Sequence, residues 1–208
     1  MKPYKTVRQS SETEYIINRS RFIGRCFPAE SEEAALAVLG DIRKKHWDAT
    51  HNCFAYRTGS GAARFSDDGE PGGTAGKPIM DVLLARDLTD VLCVVTRYFG
   101  GVLLGAGGLV RAYSRSASDA VSAAGVVCCV PGAVVQIPMD YSRYGALEGF
   151  IRANAEVRDV SFGEGVVVSA AVESALLDRF KKDIVERSDG RCAVAVVGEG
   201  YIRKGENQ

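Results

Sequence analysis

Apolar and polar positions alternate over residues 14–18 and 21–28, which predicts two short strands joined by a polar turn. Ser31-Glu-Glu-Ala-Ala-Leu then opens a helix. Ser31 is a suitable cap, acids occupy the first turn, and Arg43-Lys44-Lys45 suits the C-terminal end. Its expected apolar face is Ala35, Leu36, Leu39 and Ile42. Residues 52–57 read as a strand, and residues 58–74, polar and glycine-rich, as a loop. Lys77-Pro78 opens a helix through Arg86, since proline suits the first helical position. The β-branched run 91–97 reads as a buried strand. A long helix follows over residues 107–124, with Val110, Tyr113, Ala117, Val121 and Ala124 as its apolar stripe and Arg111 and Arg115 on the other side.

The last third has a different rhythm: strand 132–139, helix 142–153, strands 155–162 and 165–173, helix 174–187 and strand 191–197. That βαββαβ order is the split βαβ, or ferredoxin-like, unit. Pro131-Gly132 punctuates the chain between the two patterns. The expected fold is therefore α+β in two domains, 1–130 and 131–208.

Composition changes this picture little. The chain has 208 residues, 46% hydrophobic and 25% charged, an ordinary globular balance. No apolar stretch is long enough to span a membrane, and the polar start does not resemble a signal peptide, so a cytoplasmic protein is expected. The six cysteines sit among apolar residues without a C-x-x-C pair, as reduced core residues do. Formal net charge is zero, with 16 basic and 14 acidic residues through Val130 and 10 and 12 after it. Neither half is a basic nucleic-acid module, and any RNA contact must come from a local patch.

The candidate chemistry gathers in two glycine-rich turns, 69–76 and 100–108, both leading into helices. Glycines let backbone N–H groups converge, and a helix N-terminus adds unpaired donors, so each turn is a potential anion site. Gly72, Gly73 and Lys77 belong to the first, Gly105 and Gly107 to the second. Neither is a standard nucleotide loop. Gly72-Gly-Thr-Ala-Gly-Lys77 is one residue short of a Walker A loop, and Pro78 replaces its Ser or Thr. Val110 stands where a dinucleotide fingerprint needs its third glycine. Around the turns, Asp67, Asp68 and Glu70 form a carboxylate group suited either to acid–base work or to loop capping. His51 is a candidate base or a packed side chain. Arg97, Arg111 and Arg115 are candidate phosphate contacts, and Tyr98 a candidate stacking residue. No catalytic set, metal or cofactor is expected.

Five motifs occur in order: Ser20-Arg-Phe-Ile23, Ala49-Thr-His-Asn-Cys53, Ser66-Asp-Asp-Gly-Glu-Pro71, Gly73-Thr-Ala-Gly-Lys-Pro78 and Val95-Thr-Arg-Tyr-Phe-Gly-Gly101. Leu104-Gly-Ala-Gly-Gly-Leu-Val-Arg-Ala-Tyr-Ser114 follows them. The series resembles the Impact/YigZ family in its bacterial two-domain form. The resemblance implies a ribosomal protein S5 domain 2-like N-terminal domain, then a ferredoxin-like domain similar to the last domain of elongation factor G. It implies a translation-associated protein, with RNA, the ribosome or a translation factor as partner. Eukaryotic relatives bind the large activator of a starvation-responsive translation kinase. The competing readings are a small-molecule phosphate-binding enzyme of the galactokinase–homoserine kinase type, and a protein-interaction module using the acidic loop.

Overall fold

The computed structural model describes residues 1–205. Its chain divides into two compact units, Tyr4–Cys128 with Gly205, and Met1–Pro3 with Cys129–Lys204. The division falls within one long strand, Val126–Met139 (β7), which runs through Pro131-Gly132 without a break. The expected punctuation is absent because both residues keep extended backbone.

The first unit opens with Tyr4–Val7 (β1), a strand that the polar start concealed. Ser11–Ile17 (β2) and Ser20–Pro28 (β3) form the expected hairpin. Its tight turn is Asn18-Arg19, both at positive φ, the left-handed conformation that a two-residue hairpin needs. The helix Glu32–Lys45 (α1) has Ser31 as its cap, accepting from the Ala34 N–H. His51–Arg57 (β4) follows. The expected loop then contains a further strand, Ala63–Ser66 (β5), paired along β4. Three of its four residues are exposed, so no apolar run marked it. Gly76–Ala85 (α2), Val91–Tyr98 (β6) and Gly105–Ala124 (α3) complete the unit.

The sheet order is β2-β3-β6-β4-β5, with every neighbouring pair antiparallel. Strand alternation sorts its side chains onto two covered faces. Phe22, Cys26, Cys53, Ala55, Val91, Cys93 and Val95 pack with Ile79 and Leu83 of α2 and with Tyr113, Ala117 and Val121 of α3. Phe54, Tyr56, Leu92 and Val94 meet Ala35, Leu39 and Ile42 of α1 on the other face. Two expected core positions lie outside: Leu36 is 40% and Val110 38% exposed. On α3 the other four expected positions, Tyr113, Ala117, Val121 and Ala124, are buried, and Leu109, Ala112, Ser116 and Ala120 are buried beside them. Gly24 permits this packing, because α3 lies so close to β3 that a side chain there would overlap the Ser116 carbonyl.

The second unit contains β7, Tyr141–Asn154 (α4), Glu156–Phe162 (β8), Val166–Glu173 (β9), Leu177–Arg187 (α5) and Ala195–Gly205 (β10). A 3₁₀ turn at Ser174–Leu176 precedes α5. The last strand begins four residues later than its expected start, after an irregular stretch. β10 pairs with β7, β7 with β9 and β9 with β8. β8 and β9 form a hairpin, and β9 lies antiparallel between β7 and β8, as a split βαβ unit requires. Val135, Ile137, Val168 and Ala170 pack against Leu147, Ile151, Phe180 and Ile184.

The close approach at Gly24 has a measurable consequence. Gly24→Ala is expected to lower unfolding free energy by about 1–3 kcal/mol, as overpacking of a filled contact does. Chemical denaturation of the whole chain checks it.

Candidate functional site

Alternation builds the site. Odd-numbered residues of β4 and β6 face α2 and α3, so the run Ala55, Cys53, His51 and the run Cys93, Val95, Arg97 both end on that face. His51 and Arg97 lie opposite each other in register at the open end of the sheet. The two glycine turns meet over them. Together they line a cleft of about 370 Å³, whose lining includes His51, Glu70, Arg97, Phe99, Leu104 and Gly105.

Arg97 lies at the floor, 5% exposed, and Glu70 is 8% exposed. Arg97 Nη1 donates to Glu70 Oε1 at 2.6 Å, and the Tyr113 hydroxyl donates to the same oxygen at 2.8 Å. Burial, and then the neighbouring Cys53 and Glu70, push the Tyr113 hydroxyl's pKa well up, so it stays a donor. Cys53 lies beneath, its Sγ donating to the Asp67 carbonyl at 3.0 Å. Burial pushes that thiol up to about 12. Cys53 is therefore a packed thiol, not a nucleophile. His51 Nδ1 donates to the Asp68 carbonyl at 2.8 Å, and its Nε2 stands 3.8 Å from Glu70 Oε1.

The first turn supplies its own anion. Asp67 Oδ1 accepts from the Ala75 and Gly76 N–H groups at 3.0 and 2.8 Å, and Oδ2 from Gly73 at 2.9 Å. Burial opposes ionisation of Asp67, but the Gly73, Gly76 and Ala75 donors outweigh it and hold its carboxyl below 3.8. The α2 N-terminus expected to receive an external anion is thus already filled. Asp68 is committed too: it pairs with Arg43 at 2.9 Å and accepts from the Asn52 N–H at 2.7 Å. All three carboxylates thus have partners within the unit. Gly72 and Gly73 are exposed at the edge of this turn. Lys77 is engaged with Asp81 at 2.7 Å.

The second turn is different. Ser20 Oγ accepts from the Gly100 N–H at 3.2 Å and Thr50 Oγ1 from Phe99 at 3.0 Å, which pin the turn to the sheet. Helix α3 then begins with Leu104 at its cap position, Gly105 at φ +67°, no side-chain cap and no acid in its first turn. The Arg111 guanidinium folds back so that a side chain on Gly107 would lie 3.6 Å from its Nη1. Arg111 is exposed and has no ion pair among the described residues.

Two expected binding residues lie elsewhere. Tyr98, an even-numbered residue of β6, faces α1, where its hydroxyl contacts His46 Nδ1 at 2.9 Å and donates to Asp48 at 3.2 Å. Arg115 is exposed, but its guanidinium lies 4.2 Å over the Tyr15 ring and 3.6 Å from Asp119. Arg97, expected as a surface phosphate contact, is buried and neutralised by Glu70. Sequence reasoning missed Ser20, Thr50 and the hydroxyl of Tyr113. The available signal for Tyr113 was a single phenol within an otherwise aliphatic helical stripe.

Asp67→Ala is expected to cost about 1–2 kcal/mol, the usual loss for an N-terminal capping carboxylate. A carboxyl held below its ordinary pKa stabilises the fold above that value. The wild-type contribution is therefore lost as pH falls below 3.8. Unfolding curves of both proteins should converge over that range.

Residues 18–121 match the Impact N-terminal domain, and residues 137–191 match DUF1949, a domain of unknown function. The chain is 37% identical to the IMPACT family member YvyE of Bacillus subtilis, covering 98% of this chain and 95% of that one. It is 31% identical to the IMPACT family member YigZ of Escherichia coli, covering 88% and 92%. A crystal structure of a protein described only as hypothetical superposes with a TM-score of 0.61 at 28% identity, covering 95% of this chain and 98% of that one. With matches across both units and nearly full-length relatives, the chain belongs to the IMPACT family.

Proposed function

We propose that this chain is a non-catalytic, translation-associated cytoplasmic protein whose N-terminal unit binds RNA, free or in the ribosome, at the second glycine turn. One observation carries the reading: the N-terminus of α3 is open, whereas that of α2 is filled by Asp67. A 20-residue helix presents unpaired N–H groups and a partial positive charge at its start, a natural seat for a phosphate. Arg111 stands beside it without a competing carboxylate. Phe99, 45% exposed, offers a ring next to the same turn, as base stacking on single-stranded RNA uses. The family's translation link supports the same direction. Because the net charge is zero, this local patch must supply the electrostatics.

The expected result is salt-sensitive binding of a fluorescent single-stranded oligoribonucleotide, measured by anisotropy. Arg111→Ala should weaken it about equally for different sequences and reduce the salt slope by about 1. Arg115→Ala should change it less, since Asp119 already pairs with that side chain. No binding to oligoribonucleotides or sedimenting ribosomes at about 50 mM salt would remove the proposal.

A further inference from the structure

We infer that the cleft between the two turns is a pocket for one nucleotide, with its phosphate at the α3 N-terminus and an amino-bearing base edge against His51 and Glu70. The inference deepens the RNA reading and rests on it for the phosphate end.

The cleft's polar groups are sorted by type. His51 Nδ1 faces a carbonyl oxygen and must donate, so in the neutral ring Nε2 is an acceptor. Its 3.8 Å separation from Glu70 Oε1 is too long for a hydrogen bond. The contacts of Glu70 all fall on Oε1, which leaves Oε2 uncommitted on a residue that lines the cleft. Arg97, 95% buried, donates through Nη1 to Glu70 and contacts Ser20 through Nη2, and its Nε–H is covered by protein, so the cleft is offered acceptors. Two neighbouring acceptors match an exocyclic amino group, whose two hydrogens can serve both, whereas the single N–H of uracil is flanked by carbonyl oxygens. Adenine, guanine and cytosine carry such a group; uracil does not.

The remaining lining suits the rest of a nucleotide. Gly105 and Ala106 belong to the open first turn of α3, with Arg111 close by. Pro71, Phe99, Leu103 and Leu104 supply an apolar body, and Phe99 already has the Arg97 guanidinium 5.4 Å from its ring centre. About 370 Å³ is room for a small ligand and not for a helix or a folded strand pair. The chemistry is shared by a free mononucleotide and by the terminal nucleotide of an RNA chain.

Isothermal titration of the full-length protein with AMP, GMP, CMP, UMP and adenosine tests this. AMP, GMP and CMP should bind saturably. UMP should bind about tenfold more weakly or worse, the discrimination worth one good base-edge pairing. Adenosine should bind more weakly than AMP. Glu70→Gln should erase the preference over UMP. Because that change disturbs a buried ion pair, Ala106→Glu is the companion variant. It puts an acid in an exposed first-turn position that favours helix, so it should keep the fold and the NMR spectrum yet reduce AMP affinity at least tenfold. Competition by a 5′-phosphorylated but not a 5′-hydroxyl oligoribonucleotide would assign the site to chain ends; competition by free nucleotides alone would assign it to those. Failure of AMP, GMP and CMP to bind at millimolar concentration, or UMP binding equally well, overturns the inference. RNA binding without mononucleotide binding leaves the RNA reading standing, and the reverse leaves the pocket standing without it.

Discussion

The buried ion pair between Arg97 and Glu70 is the constraint on which the N-terminal unit's functional end depends. It joins the end of the central strand to the first turn, and Tyr113 brings α3 to the same carboxylate oxygen. Ser20 extends the network to β3 and, through the Gly100 N–H, to the second turn. Both turns and three elements of the sheet–helix sandwich thus meet at one carboxylate and one guanidinium. Burying two charges is costly, and a close pair with extra hydrogen bonds offsets this only when its geometry is good. Removing either partner would leave the other charged and buried, a cost of about 3–5 kcal/mol. Such a pair is better understood as fixing position than as adding stability.

Much of this was legible in the chain. The 3.6 and 2.0 periods placed most elements, and the βαββαβ order of the last third was evident from pattern alone. What escaped was set by tertiary contacts. β5 is short and exposed, so only its pairing with β4 defines it. The expected stripe of α3 is buried except at Val110, and its closeness to β3, which only Gly24 permits, was not readable from either segment alone. Pro131 was read as a stop, but its fixed φ is compatible with a strand and β7 passes through it.

The cleft was legible in part. The two glycine turns do converge, and His51, Glu70 and Arg97 do share a cleft. Strand alternation, applied consistently, would have separated Tyr98 from Arg97, since neighbouring residues on a strand face opposite ways. No local pattern distinguishes a carboxylate that caps its own helix from one that faces solvent. Asp67 and Asp68 are adjacent in sequence, yet one holds the α2 N-terminus and the other braces Arg43 and β4.

The capping of α2 by Asp67 also limits what the first turn can be asked to do. A carboxylate tethered a few residues from three N–H donors competes as an intramolecular ligand, at an effective concentration in the millimolar range or above. Cellular phosphate would have to displace it at comparable concentration and against its better-fixed geometry. The turn is therefore saturated from the moment the chain folds. The two glycine-rich segments, alike in composition, thus differ: one helix start is capped by its own carboxylate and the other has no side-chain cap.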